Sequence, residues 1–441
     1  MKTRTILIII LLFSNVGFSQ SFISKIQAES DINELLTKSK DIHPDLFGHI
    51  SEEDFTSQLL DIPYKSDSVS IHAFKVHVAK TMSLLHDGHT HVLLNYKNQY
   101  SSIYETSVQN AILAKDGALY YRSKKGSLQK IESINGNINC YKHLISLVSG
   151  EIIGYREAEL TRNFAFIYQF YYGSSKSLNL ALIDENSVSV AITPKKQMQK
   201  FALIQPNDSL VVIQLNSFTL NTSESKEYYH FIDSTFAYVT HKSIPNLIID
   251  VSENGGGNSG YGDYVMNYLT NKPYQTYQEL SLKRSKTSKK YFRKRFLKWY
   301  LYPFAIFSKQ ARLVILKKPG TENLNPQAGT PVSKGILYTG KVSLITSEAS
   351  YSAAGTFASS FKNSQVGLIY GSQTGQPCKG YIDLMAYKLP FSKVVITTSF
   401  KSYTYMGCDS QNAGIQPDIE VRKNINESSS SFYLRILSMD Y

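Results

Sequence analysis

From residue 201 onward, short apolar runs alternate with longer amphipathic ones. "DSLVVIQLNSF" (208–218) reads as a strand and "KEYYHFIDSTFAYVTH" (226–241) as a helix. "IPNLIIDVS" (244–252) is a nearly continuous apolar run, as in a strand of a parallel sheet buried on both faces. A loop, "ENGGGNSG", and a helix, "YGDYVMNYLT", follow. After an interruption the rhythm resumes as strand "GKVSLITS", helix "AAGTFASSFKNS" and strand "QVGLIYG". Strands alternating with helices in this way predict an α/β fold around a parallel sheet. The earlier chain reads differently. Over 25–95, apolar residues such as Phe74, Val78, Met82 and Leu85 recur at three- and four-residue steps, the mark of a helix. The pattern breaks at Asp87-Gly88, and "HTHVLLNY" (89–96) then alternates like a strand. Residues 100–200 read as short strands and a helix. "LQKIESINGNINCYKHLISLVSG" gives a strand, an Asn-Gly turn, a second short strand and a helix.

Length and flanks refine this division. A chain of 441 residues can bury two or three domains. Lys2 and Arg4 precede the apolar run 6–13, and the small residues Gly17 and Ser19 suit cleavage before Gln20 or Ser21. That is the layout of a secretory signal peptide over 1–20, too short for a stable span. No other run reaches the roughly 18 apolar residues that a spanning helix needs. The expected mature protein is therefore exported and soluble, in a periplasm or outside the cell. Its expected parts are a helical region over 21–98, a PDZ-like or small α/β domain over 99–200 and a catalytic domain over 201–441. Losing Lys2 and Arg4 lowers the formal net charge from +12 to +10. Thirteen Lys and Arg, and no acid, fall between 280 and 320.

Three stretches carry residues with chemistry. "GGGNSG" (255–260) formally matches GxGxxG, but Ser252, Glu253 and Asn254 part it from the strand, which argues against dinucleotide binding. Consecutive glycines can equally form a tight turn, or leave backbone N–H groups open to a ligand or an oxyanion. "HDGHTH" places His86, His89 and His91 within six residues. A metal site, a structural histidine and a catalytic base are all open, although neither HExxH nor CxxC is present. In "SEASYSAAGTF" (347–357), Ser352 follows a strand and opens a helix. A serine there is an N-cap, or a nucleophile if a base and oxyanion donors are near.

The order of five stretches is more specific than any one of them. "LLHDGHTHV" (84–92), "LIIDVSENGGGNSG" (247–260), "ITSEASYSAAGTFA" (345–358), "IYGSQTGQ" (369–376) and "NAGIQPDIEV" (412–421) together resemble the tail-specific (C-terminal processing) protease family, in the branch that includes the tricorn core protease. The resemblance implies a crotonase-like spiral of ββα units, often preceded by a PDZ-like domain. It implies Ser352 as nucleophile, with the amides of Gly256 (or Gly255) and Ala353 as the oxyanion hole. It implies His89 as base, with Lys379, 27 residues after the serine, as the rival base of the family's dyad branch. Gln411, with Asp409 two residues earlier, stands where the family often carries an acid, and is the expected partner of the imidazole. Gly355 and Ser252 replace the family's usual Glu and Arg.

The function expected on this basis is an exported serine peptidase acting on peptides or proteins, with no cofactor, no metal and no nucleic-acid partner. A catalytically inactive peptide- or ligand-binding protein on the same fold, and a metal-dependent hydrolase, are the alternatives. Cys378 and Cys408 flank the expected site in an oxidising compartment and are hypothesised to form a disulfide. The basic, aromatic stretch 283–318 suggests a cap over the cleft, a contact with an anionic membrane surface or a solvated insertion.

Overall fold

The computed structural model describes residues 22–296 and 317–439, except for 95–105, 110, 124, 184–185, 196–197, 327–328 and 425, together with 307, 308 and 312. The expected leader over 1–20 and the aromatic stretch 297–306 lie outside these residues. The first part is helical, as the periodicity predicts: α1 (Lys25–Ile42), α2 (Glu52–Leu60) and α3 (Ile71–Ser83). Each begins on a serine whose hydroxyl accepts an otherwise unpaired backbone N–H. The 89–94 segment is not a regular strand. It runs beside Val395–Thr397 through His91 N–H to Thr397 O (3.2 Å) and Leu93 N–H to Val395 O (2.9 Å). That pairing ties this N-terminal segment to the C-terminal half.

The middle part is an antiparallel sheet, β1 (Ile112–Lys115), β2 (Ala118–Arg122), β3 (Leu128–Ile134), β4 (Ser177–Leu182) and β5 (Ser187–Ala191), with strand order β1-β2-β3-β4-β5. Helices α4 (Cys140–Ile145), α5 (Ile153–Arg162) and α6 (Phe164–Tyr172) fall between β3 and β4. The expected boundary near residue 98 does not divide the packing. One hydrophobic core takes Ile32, Leu35, Phe74 and Val78 from the first part and Ile134, Leu144, Phe170 and Leu180 from the second.

The remainder follows the alternating pattern closely. Strands β6 (Phe201–Asn207), β7 (Leu210–Leu215) and β8 (Asn246–Asp250) frame α7 (Thr222–His241), and α8 (Gly260–Leu269) follows the glycine loop. Then come β9 (Tyr277–Arg284), α9 (Lys286–Phe296), β10 (Gly320–Asn323), β11 (Lys341–Thr346), α10 (Ala353–Ser364) and β12 (Leu368–Gly371). The chain ends with β13 (Lys379–Lys388), β14 (Val395–Tyr405), β15 (Ile419–Glu420) and α11 (Ser429–Met439). The main sheet has strand order β6-β7-β8-β11-β12-β15, and all pairings after β6-β7 are parallel. Both faces of the sheet are covered. Val211, Ile213 and Ile249 pack under α7, α8 and α10, while Leu210, Val212 and Ile248 pack under α11. This double burial is why β8 reads as an unbroken apolar run rather than an alternating one.

The basic stretch is not a free insertion at its start. Residues 280–284 belong to β9, which pairs with β14. Lys283 Nζ donates to the carbonyl of His43 at 2.6 Å, and Thr287 N–H donates to Asp41 at the end of α1. Phe292 packs with Ile42, Leu282, Met385 and Phe400. The tethering of α9 to α1 fixes one end of the expected cap, and 297–306 lie outside the described residues. Among the described residues no helix is long and apolar enough to cross a membrane.

Cys378 and Cys408 form a disulfide that closes a separation of 30 residues. Breaking it is expected to lower stability by about 3–4 kcal/mol, from the loop entropy returned to the unfolded chain. Urea unfolding of a Cys378→Ala/Cys408→Ala variant checks this. An unchanged midpoint would mean the bridge constrains little that the fold does not already hold.

Candidate active site

Ser352 sits on the sharp turn between β11 and α10. Its backbone adopts φ 53°, ψ −116°, a region that costs a residue with a Cβ on the order of 1–3 kcal/mol. Its side chain makes no capping bond to the helix that it opens. The N-cap reading of this serine is therefore not what the geometry shows. The strained turn instead lifts the hydroxyl out of the helix and toward the N-terminal segment. There its Oγ lies 2.9 Å from Nε2 of His89.

His89 is positioned by its own short loop. Asp87, fully buried, accepts the His89 backbone N–H on Oδ1 at 2.8 Å. Its Oδ2 accepts from His43 Nε2 (3.0 Å), Thr90 Oγ1 (2.6 Å) and Ser399 Oγ (2.7 Å). Burial alone would push the Asp87 carboxyl up. The bond and charge of His43, the charge of His89 and the Thr90 hydroxyl outweigh it and hold the group well below the usual carboxylate range. Burial lowers the His89 imidazole, against the pull of the Asp87 and Asp383 charges and of the Tyr381 backbone carbonyl. A neutral ring with a lone pair on Nε2 is what proton abstraction from a serine requires. The far nitrogen, Nδ1, lies 3.3 Å from the Tyr351 hydroxyl and 4.0 Å from Asp87 Oδ1.

The other two histidines of the cluster turn away. His91 Nδ1 lies 2.9 Å from the Gly88 carbonyl, and burial lowers its pKa to about 4. The His86 ring sits against that of His49, with centroids 5.9 Å apart. Among the described residues, no group of three His, Cys, Asp or Glu is arranged to hold a metal ion.

The glycine loop closes on the serine from the other side. A Cβ on Gly256 (φ +104°) would lie 2.7 Å from Ser352 Cβ and 3.2 Å from Ala353 N, so only glycine fits there. The Ala353 N–H, at the start of α10, has no acceptor among the described residues. The Gly256 N–H, by contrast, donates to Asn254 Oδ1 at 2.9 Å. Gly256 thus brings the loop against the serine, while of the three consecutive glycines it is Gly255 and Gly257 whose amides have no acceptor among the described residues. Asn254 holds the loop in turn through Nδ2 to the Leu215 carbonyl, 2.8 Å.

Two expected residues are not brought to the imidazole. Gln411 is exposed, and its side chain forms no hydrogen bond among the described residues; Asp409 is exposed as well. Their place beside Nδ1 is taken by Tyr351, because the 409–411 turn lies at the surface, where the Gln411 carbonyl accepts the Lys379 N–H. Lys379 is itself exposed, and its ammonium forms no ion pair or hydrogen bond among the described residues. Sequence reasoning missed Tyr351 and Glu151. Tyr351 adjoins the serine, which was a usable signal. Glu151, whose carboxylate accepts the Tyr351 hydroxyl at 3.0 Å, comes from the turn before α5, and nothing local marks it.

The comparisons with known proteins agree with this architecture. Residues 209–421 match the model of peptidase family S41. Mature CPAF shares the fold over 94% of this chain and 96% of its own, with TM-score 0.59 at 11% identity. Its complex with lactacystin gives TM-score 0.58 at 12% identity, over 94% and 97%. The photosystem II D1 C-terminal processing protease matches with TM-score 0.49 at 14% identity, over 90% and 92%. No curated protein matches the chain. The family match runs from the start of the parallel sheet through the glycine loop, the Ser352 turn and the last strand, and over this stretch the chain is similar to peptidase family S41.

Proposed function

We propose that the protein is an exported serine peptidase in which Ser352 attacks the scissile carbonyl and His89 is the general base. The observation that carries this reading is the 2.9 Å approach of Ser352 Oγ to His89 Nε2, made by a strained serine that caps nothing. The neutral imidazole accepts the serine proton as the C–O bond forms. Negative charge on the substrate oxygen is met by the Ala353 N–H and by a free amide of the glycine loop. Loss of one such donor typically costs about 3–4 kcal/mol of transition-state stabilisation. His89 then gives its proton to the leaving amine, and water hydrolyses the acyl-enzyme by the same steps in reverse order. The leader-like residues 1–20 and the Cys378–Cys408 bridge both suit an oxidising compartment, a periplasm or the exterior.

A fluorophosphonate probe is expected to label Ser352, identified by peptide mass mapping. His89→Ala should remove labelling and the hydrolysis of dye-quenched casein, whereas Lys379→Ala should retain both. Labelling lost in the lysine variant and kept in the histidine variant would overturn the assignment of the base. No labelling of the folded wild type would favour a ligand-binding protein on the same fold.

A further inference from the structure

We propose that Tyr351 and Glu151 are positioning residues that hold His89 in the tautomer with its proton on Nδ1, through a one-way relay of hydrogen bonds from the middle part of the chain to the nucleophile. The inference rests on Ser352 and His89 acting as proposed above. If Nε2 accepts from Ser352 Oγ, then Nδ1 carries the proton and must donate it. The Tyr351 hydroxyl accepts at 3.3 Å and donates onward to Glu151, 3.0 Å to Oε2 and 3.2 Å to Oε1. Every donor in the chain points the same way, and the chain ends on an acceptor.

The relay is built sterically as well. A Cβ on Gly88 would lie 2.4 Å from the Tyr351 hydroxyl, so only a glycine next to His89 lets that hydroxyl approach. Tyr155 of α5 stacks on the Tyr351 ring, with centroids 4.0 Å apart and planes 19° from parallel. Tyr351 itself is buried. Glu151 and Tyr155 both come from outside the stretch that matches family S41. Asp87 does not replace the relay. Its oxygens are occupied by four donors, and its nearer oxygen is 4.0 Å from Nδ1.

The direction of the relay depends on the charge of Glu151. An ionised carboxylate only accepts, which forces the Tyr351 O–H toward it. A protonated carboxyl can donate to the Tyr351 oxygen, turn the phenol hydrogen toward Nδ1 and so favour the unproductive tautomer. Burial, together with the Asp87 charge, pushes the Glu151 carboxyl up to about 8, against the Tyr351 hydroxyl and the Gly88 backbone. The titratable groups that face it are Asp87 and, through Tyr351, His89 on their loop, Tyr155 on α5, Tyr351 before α10, Tyr381 on β13, and Tyr403 and Tyr405 on β14. The tyrosines are all raised and stay neutral below pH 9, so Glu151 is the group that changes charge there.

The test measures kcat and KM on dye-quenched casein from pH 6.5 to 9 for wild type, Tyr351→Phe, Glu151→Gln and the double variant. Wild-type kcat should rise through an apparent pKa near 8. Both single variants should lose about 10²-fold in kcat at pH 9, the lower end of what a correctly placed base contributes. KM should move less than about twofold, the rise should vanish, and the double variant should be no worse than either single one. The ¹⁵N spectrum of His89 gives a readout without substrate: Nδ1 protonated in the wild type at pH 9, and a mixture of tautomers in either variant. Unchanged kcat and pH profile in the folded variants, or an unchanged tautomer, would overturn the relay. A wild type that does not hydrolyse casein or label with the fluorophosphonate would instead sink the peptidase reading, and the nitrogen spectrum would still decide the relay.

Discussion

Replacing Ser352 with alanine is expected to abolish casein hydrolysis, by roughly 10⁴- to 10⁶-fold in kcat, while leaving the unfolding free energy within about 0.5 kcal/mol of wild type. The two halves of this expectation come from the same geometry. The hydroxyl touches His89 and no helix N–H, so its loss removes chemistry and no cap. Alanine also carries a Cβ, so it inherits the same strained backbone. Ser352→Gly separates the two effects further. Glycine tolerates φ 53°, so this variant should be as inactive as Ser352→Ala and more stable than it by about 1 kcal/mol. Urea unfolding beside the activity assay checks both. An active Ser352→Ala, or an alanine variant weakened by about 1 kcal/mol as loss of a cap would require, would return the serine to a structural role.

The parallel sheet and the helices that cover it were legible in the sequence because each strand is apolar throughout and each helix amphipathic. β7, β8, β11 and β12 lie within the segments that the pattern marks. Ser352 and the glycine loop were legible for a related reason: both lie at strand ends, where the pattern breaks and the residues turn small. The strand-like alternation at 89–94 misled, because Val92 is buried against the C-terminal part rather than in a sheet of its own. Gln411 misled because position in a motif does not say where a surface turn points its side chain. Glu151 was invisible. Its role depends on a contact 200 residues along the chain, made by packing of the middle part on the catalytic part, and no local spacing encodes that. The start of the basic stretch could not be placed from composition alone, which left a cap, a membrane contact and a solvated insertion open. Its composition is that of a solvated surface, yet Lys283 and Phe292 are tied to α1 and β14 by a backbone carbonyl and an apolar cluster.

Asp87 carries the second large expectation, this time in stability. Four donors converge on its two oxygens: the His89 backbone N–H on one, and His43, Thr90 and Ser399 on the other. They come from the end of α1, the 87–90 loop and β14, so one carboxylate pins together the two halves of the site. Asp87→Ala strands all four in a fully buried place and should cost about 3–5 kcal/mol. Asp87→Asn should cost nearly as much, since its amide must point a donor at groups that also donate. His43 cannot relieve this by changing tautomer, because its Nδ1 already accepts the Asp45 N–H at 3.1 Å. The sign of the pH dependence follows from the depressed carboxyl. Its stabilisation is complete above the unfolded-state value near 3.9 and is lost as pH falls below it toward the lower folded value. The wild type should therefore lose stability steeply below about pH 4, and the Asn variant should lack that part of the acid slope. Urea midpoints from pH 3 to 7 for both proteins measure it. An Asn variant within about 1 kcal/mol of wild type at pH 7, or one with an unchanged acid slope, would show that the carboxylate's charge does not hold the site together.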